Sequence, residues 1–140
     1  MSQENVEIYR TNIEDVIAGE FDHEAAISRM AELWDPQIEL DASEAPALDL
    51  SRVCRGSETV RQWWREWFGA WEALQVEYEL VDAGDRVVFL LDMRVRGRSS
   101  GIDVAFGKHA WVTTFRAGLM VHNKLYMSQS EALEAVGLRE

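Results

Sequence analysis

Three helical segments precede an almost unbroken run of strands from about Leu74 to Met127, and this order constrains the fold more than any other feature of the chain. The turns between the strands, D82-A-G-D85, R98-S-S-G101 and R116-A-G118, are very short. Such connections force antiparallel pairing, because a parallel return needs a crossover of about a dozen residues or more. Helices grouped ahead of strands argue for an α+β fold rather than alternating α/β. A strongly bent, mostly antiparallel meander with helices against its concave face encloses a deep pocket. The length fits a single domain over residues 1–140.

The helical half is punctuated clearly. Val6, Tyr9, Ile13 and Val16 recur at helical spacing over Gln3 to Ala18, with Ser2 as a cap and Gly19 as the stop. Asp22 is a good cap for a second helix, whose face is Ala26, Ile27, Met30 and Leu33 and which Pro36 stops. Gln37 to Asp41 alternates like a short strand, and residues 42–56 show no periodicity. A loop of that length is commonly functional or mobile, as a lid over a pocket mouth would be. Ser57 can cap a third helix, with Val60, Trp64, Trp67 and Trp71 along one stripe and Trp63 and Phe68 widening it. Two readings fit that stripe: core packing alone, or core that also lines a cavity.

In the strands, side chains alternate between faces. Phe89, Leu91, Met93 and Val95 share one face, and Leu90, Asp92, Arg94 and Arg96 the other. The longest strand runs from about Asp103 to Phe115, and Gly107 marks a bulge that bends it. Val121, Asn123, Leu125 and Met127 form one face of the last strand. Ser128 with Glu131 three residues on is a capping box for a short C-terminal helix that ends near Gly137.

Composition removes several functions. The formal net charge of -11 makes nucleic acid an unsuitable partner, since phosphate binding needs a basic footprint. The single cysteine, Cys54, excludes an intrachain disulfide and suits a reducing cytoplasm. The N-terminal MSQENVEIYR lacks the basic and apolar run of a signal peptide, and no stretch is apolar enough to span a membrane. His23, His109 and His122 lack metal-ligand spacing, no glycine motif cradles a phosphate, and no cofactor is implied.

Few residues remain that can carry chemistry. Asp41 ends the first strand; at the wall of an apolar cavity it would be suited to proton transfer, and otherwise it simply begins a turn. His109 and Trp111 share a face, and histidine is the natural proton carrier near neutral pH unless it is a satisfied structural residue. Asn123 interrupts an apolar face, so its amide needs a partner, either a ligand or His109 across the strands. Asp92 and Arg94 belong to the outer face, as a solvated or interfacial ion pair.

The chain resembles the SnoaL-like members of the nuclear transport factor 2-like superfamily. The resemblance rests on E4-N-V-E-I-Y9, D35-P-Q-I-E-L-D-A-S43 and R55-G-S-E-T-V-R-Q-W-W-R-E-W67, then D82-A-G-D-R-V-V88, H109-A-W-V-T-T-F-R-A-G118 and S130-E-A-L-E-A-V-G-L138. It implies a curved mixed sheet forming a cone, three helices closing the pocket, and homodimers through the outer sheet face. In the ketosteroid isomerase branch a general base stands where Asp41 stands. The positions matching that branch's tyrosine and aspartate donors look like Asn12 and Trp111, with Tyr9 one turn away. The late-strand aspartate of the polyketide cyclases has no inward counterpart here. Asp92 and Arg94 have the spacing of the epoxide hydrolase set but face outward. The expected ligand-binding set is Tyr9, Asn12, Trp63, Trp67, Tyr78, Met93, Trp111, Asn123 and Met127, with Asp41 and His109 as the acid–base pair. Three functions follow as expectations: acid–base chemistry on a small apolar carbonyl compound, small-molecule binding without chemistry, or a dimerising interaction domain.

Overall fold

The computed structural model describes residues 2–18, 22–46, 50–98 and 100–138. Its helices are α1 (Ser2–Ala18), α2 (His23–Ala31), α3 (Ser57–Gly69) and α4 (Gln129–Ala135). Its strands are β1 (Trp34–Asp41), β2 (Val53–Arg55), β3 (Trp71–Ala83), β4 (Arg86–Gly97), β5 (Asp103–Arg116) and β6 (Leu119–Tyr126). The described strands form one sheet in the order β2-β1-β6-β5-β4-β3, with β1 parallel to β6 and every other pair antiparallel. This is the curved α+β arrangement expected from the order of elements. The expected stop at Gly19 lies outside the described residues.

Several boundaries differ from the sequence expectations, each for a physical reason. Pro36 does not stop α2, which ends earlier, but sits exposed inside β1. The β1–β6 register breaks between Trp34 and Glu39, so no ladder bond is asked of the proline nitrogen. Asp35 fills the gap by accepting the Gln37 N–H at 2.8 Å. Residues 42–56 are not wholly irregular: β2 adds an antiparallel edge to β1. Ser57 is the first helical residue of α3 rather than its cap, which is Gly56 at φ 87°. Trp71 lies beyond α3, in the first position of β3, and so joins the aromatic stripe from a different element.

The curvature concentrates in β5. Gly107 has φ 75°, and the β4–β5 register slips beside it, pairing Met93 with Gly107 but Arg94 with Ala105. The extra residue turns Phe106 to the concave side along with His109. A second slip between Thr114 and Phe115 brings Met120 inward, where simple alternation would have placed Val121.

The main core lies between the helices and the concave face, including Ile27, Ile38, Leu40, Val60 and Trp63, all essentially inaccessible. A smaller core forms on the convex face, where Ala132 and Leu133 of α4 cover Val88, Ala110 and Val112. Ser128 caps α4 by accepting the Glu131 N–H at 3.2 Å, and Gly137 at φ 82° follows its end. None of the helices is long and apolar enough to cross a membrane.

A Cβ added at Gly107 would meet nothing within 4 Å, so substitution there is opposed by backbone conformation alone. Gly107→Ala is expected to lower unfolding stability by about 1–2 kcal/mol, read as a shift of the urea midpoint. Gly69→Ala, also in open space but without a positive φ, serves as the control and is expected to be neutral or stabilising.

Candidate functional site

The concave face encloses a cavity of about 450 Å³, within the range of small-molecule pockets. One wall is aromatic and runs across element boundaries. Trp63 meets Trp111 edge-on at 5.9 Å, Trp64 lies 5.7 Å from both Trp67 and Trp111, and Trp67 continues to Trp71 at 6.2 Å. Phe106 extends the chain, 5.3 Å from Trp71 and 6.4 Å from the His109 ring. Such tilted and edge-on contacts are the preferred aromatic geometries, each worth about 0.5–1.5 kcal/mol beyond burial. The Trp63 indole N–H donates to the Leu50 carbonyl at 2.9 Å, so the wall also holds the segment after β1 in place. That segment carries further ties: Glu44 accepts the Met127 N–H at 2.9 Å, and the Ser51 hydroxyl donates to the Ser43 carbonyl at 2.6 Å. Ala45, Pro46 and Leu50 line the cavity from there. The Trp71 indole nitrogen is buried with no hydrogen-bond partner among the described residues.

Eight of the nine expected ligand-binding residues line this cavity: Tyr9, Asn12, Trp63, Trp67, Met93, Trp111, Asn123 and Met127. Tyr78 does not; its ring packs 5.5 Å from Phe89, which takes the cavity position. His109 lines the cavity and is 4% exposed. Its Nδ1 lies 3.2 Å from the Gly107 carbonyl, which can only accept, so Nδ1 carries the proton and Nε2 presents a lone pair. Burial lowers the His109 pKa below the ordinary imidazole value, against an opposing effect of the Gly107 bond and Asp92.

Asp41 is elsewhere. It alternates with the buried Leu40 and shares the convex side with Glu39, as the pairing of β1 with β6 requires. Its carboxylate accepts the Ser43 N–H at 3.0 Å and the Ser43 hydroxyl at 2.6 Å, and lies 3.4 Å from the Lys124 ammonium. Burial alone would raise its pKa; the Ser43 bonds and Lys124 outweigh it and hold the group below the usual carboxylate value. The expectation that Asp41 stands on the pocket wall is therefore corrected: it starts a turn and pairs across the outer ladder. Of the two alternatives for Asn123, the bond to His109 is not made, because Asn123 pairs in register with Thr113 while His109 lies beyond the Ala110–Tyr126 pair. The Thr113 hydroxyl donates to the Asn123 carbonyl oxygen at 2.5 Å. Burial raises the Tyr9 phenol pKa far above the ordinary value. Asn12 donates to the Arg29 carbonyl at 2.8 Å.

Sequence reasoning missed His23, which lines the cavity beside Asp22. Its ring stacks on Phe68 at 5.6 Å and its Nε2 lies 3.2 Å from the Arg98 guanidinium, a pure donor, so this imidazole is neutral as well. Burial first, and then Arg98, lower its pKa. Only its place after the cap Asp22 could have hinted at a role. Among the described residues no group of three or more His, Cys, Asp or Glu side chains could hold a metal ion.

Residues 10–123 match the model of the SnoaL-like domain, and the chain belongs to that family. No curated protein matches the sequence. Among solved structures it is similar to a nuclear transport factor 2-like protein of unknown function from Burkholderia pseudomallei, with 18% identity, a TM-score of 0.71, and 95% of this chain and 97% of that one covered. It is also similar to Bal32a from a soil-derived mobile gene cassette, with 12% identity, a TM-score of 0.72 and 89% of each chain covered. A third, TerC co-crystallised with polyporic acid, shares 16% identity and a TM-score of 0.64 over 89% of this chain and 97% of that one. These likenesses define the fold.

Two pH effects follow. Asp41 has a lowered folded-state pKa, so its contribution to stability is complete above the ordinary carboxylate value and is lost as pH falls through the folded value. Asp41→Asn is expected to reduce stability at pH 7 by at most about 1 kcal/mol and to make no difference in strong acid. His109, also lowered, stabilises fully above the ordinary imidazole value and progressively less as pH falls toward its folded value. His109→Gln is expected to flatten the stability profile between about pH 7 and pH 5, read from urea midpoints across that range.

Proposed function

We propose that the chain is a small-molecule cavity protein whose ligand is neutral and largely apolar, seated between the tryptophans of α3 and strands β4–β6. The observation that carries this reading is the cavity of about 450 Å³ with a continuous aromatic wall and neutral polar groups at a few points: Tyr9, Asn12, His109 and Asn123. Charged ligands are disfavoured because, among the described residues, the one carboxylate lining the cavity is Asp22, which is exposed and spent on capping α2, so no buried charge offsets their desolvation. The co-crystallisation of TerC with polyporic acid supports small-molecule binding by likeness of fold, without bearing on the charge of the ligand.

A direct test uses a neutral fluorescent probe, N-phenyl-1-naphthylamine. Binding with a blue shift and quenched tryptophan emission is expected. Trp67→Ala should weaken it about tenfold, equivalent to about 1.4 kcal/mol, while Asp41→Asn should leave it unchanged. Absence of binding to the wild-type chain would reject the cavity reading.

A second reading, acid–base catalysis inside the cavity, is favoured by the neutral His109 with its Nε2 lone pair. In it His109 moves the proton and Asp41 does not. Turnover of a screened ketone that survives His109→Gln would reject it.

The expected homodimer would use the convex face that α4 leaves uncovered, where Glu77, Asp92 and Lys108 lie side by side in register. Sedimentation velocity at micromolar concentration is expected to give a dimer that dissociates as salt is raised. A monomer at low salt would rule this interface out.

A further inference from the structure

The Asn123 end of the cavity carries a directional hydrogen bond. Thr113 is completely buried and does not itself line the cavity. Its single hydroxyl proton goes to the Asn123 carbonyl oxygen, at 2.5 Å. The polarity therefore runs one way, from Thr113 to Asn123.

This direction decides what the ligand meets. With its oxygen committed to Thr113, Asn123 can turn only its NH2 group toward the cavity it lines, and among the described residues no group accepts from that NH2. His109, the lone-pair group, stands about 13 Å further along β5, at roughly 3.3 Å for each residue, so it does not neutralise the preference at the Asn123 end. The two polar stations have opposite character.

We propose that Thr113 is a positioning residue that sets ligand specificity: by fixing the Asn123 amide, it makes the Asn123 end of the cavity select a molecule that terminates in a hydrogen-bond acceptor, such as a ketone oxygen. The proposal rests on the small-molecule reading and names the chemistry that reading left open. The ligand's acceptor end meets Asn123, and an isosteric hydrocarbon end leaves the Asn123 NH2 buried without a partner.

The test compares 2-acetylnaphthalene with 2-isopropylnaphthalene, a ketone and a hydrocarbon of matched shape, by displacement of N-phenyl-1-naphthylamine. The wild-type chain is expected to prefer the ketone by at least about tenfold after correction for water solubility. Thr113→Val frees the amide to rotate, and the preference should fall to within about threefold. Thr113→Ser, which restores the hydroxyl, should recover it; a merely structural role would not move the ketone-to-hydrocarbon ratio in this way. Asn123→Leu leaves Thr113 in place and gives an independent arm: hydrocarbon binding kept, ketone preference lost. That arm stands even where Thr113→Val fails to fold. Equal binding of both probes by the wild-type chain overturns the proposal while leaving the cavity reading intact. A ketone preference that persists in Asn123→Leu, or in folded Thr113→Val, also overturns it. Binding of neither the dye nor the probes rejects the cavity reading instead.

Discussion

The bend at Gly107 is the constraint on which the rest of the structure depends. A long antiparallel sheet twists but does not close on its own face. The positive φ and the slipped register let β5 turn, and the turn makes the concave side deep enough to hold a cavity as well as a core. It also aims side chains. Phe106 and His109 both face inward across the bulge, which strict alternation would forbid for residues at odd spacing. The aromatic wall that starts on α3 can then continue through Trp71 onto β5.

Charge is segregated by the same curvature. The convex side of β1 and β6 holds a ladder of polar pairs: Arg55 lies 3.0 Å from Glu39, His122 lies 3.5 Å from Glu39, and Lys124 lies 3.4 Å from Asp41. In the partly hydrated setting of that face these pairs add little stability individually. Their effect on the site is by exclusion. Every carboxylate spent on this ladder is one that does not face the apolar interior, and Asp41 is the clearest case.

Much of this was legible in the sequence, and the failures are specific. Period-2 alternation in β4 located Phe89, Leu91 and Met93 on the cavity side and Asp92 and Arg94 on the other, because a strand without a bulge keeps its parity. Parity from Gly107 onward also gave His109 and Trp111 correctly. It failed where the ladder slips: Met120 replaces Val121 on the inner face of β6, and Pro36 sits in a break of β1. Asp41 was misplaced because its position at the strand end was weighed ahead of its parity: the alternation of buried Ile38 and Leu40 with Glu39 and Asp41 turns the carboxylate outward, in register with Lys124. Thr113 was passed over since a threonine in a strand carries no signal beyond β-propensity, and its hydrogen bond to Asn123 depends on the register of β5 with β6. Tyr78 faced the right way but the ring of Phe89 stood between it and the cavity.

The last helix touches none of this chemistry, yet it is fastened to it. The Gln129 side-chain amide donates to the Leu91 and His109 carbonyls of the neighbouring strands β4 and β5, each at 3.2 Å. Those two residues face each other across β4 and β5, and both line the cavity. One side chain thus clasps the backs of two neighbouring wall positions. The spacing of the wall where the histidine stands is held from the outside, as a rivet head holds a plate, and the C-terminal segment governs the shape of an interior it never enters.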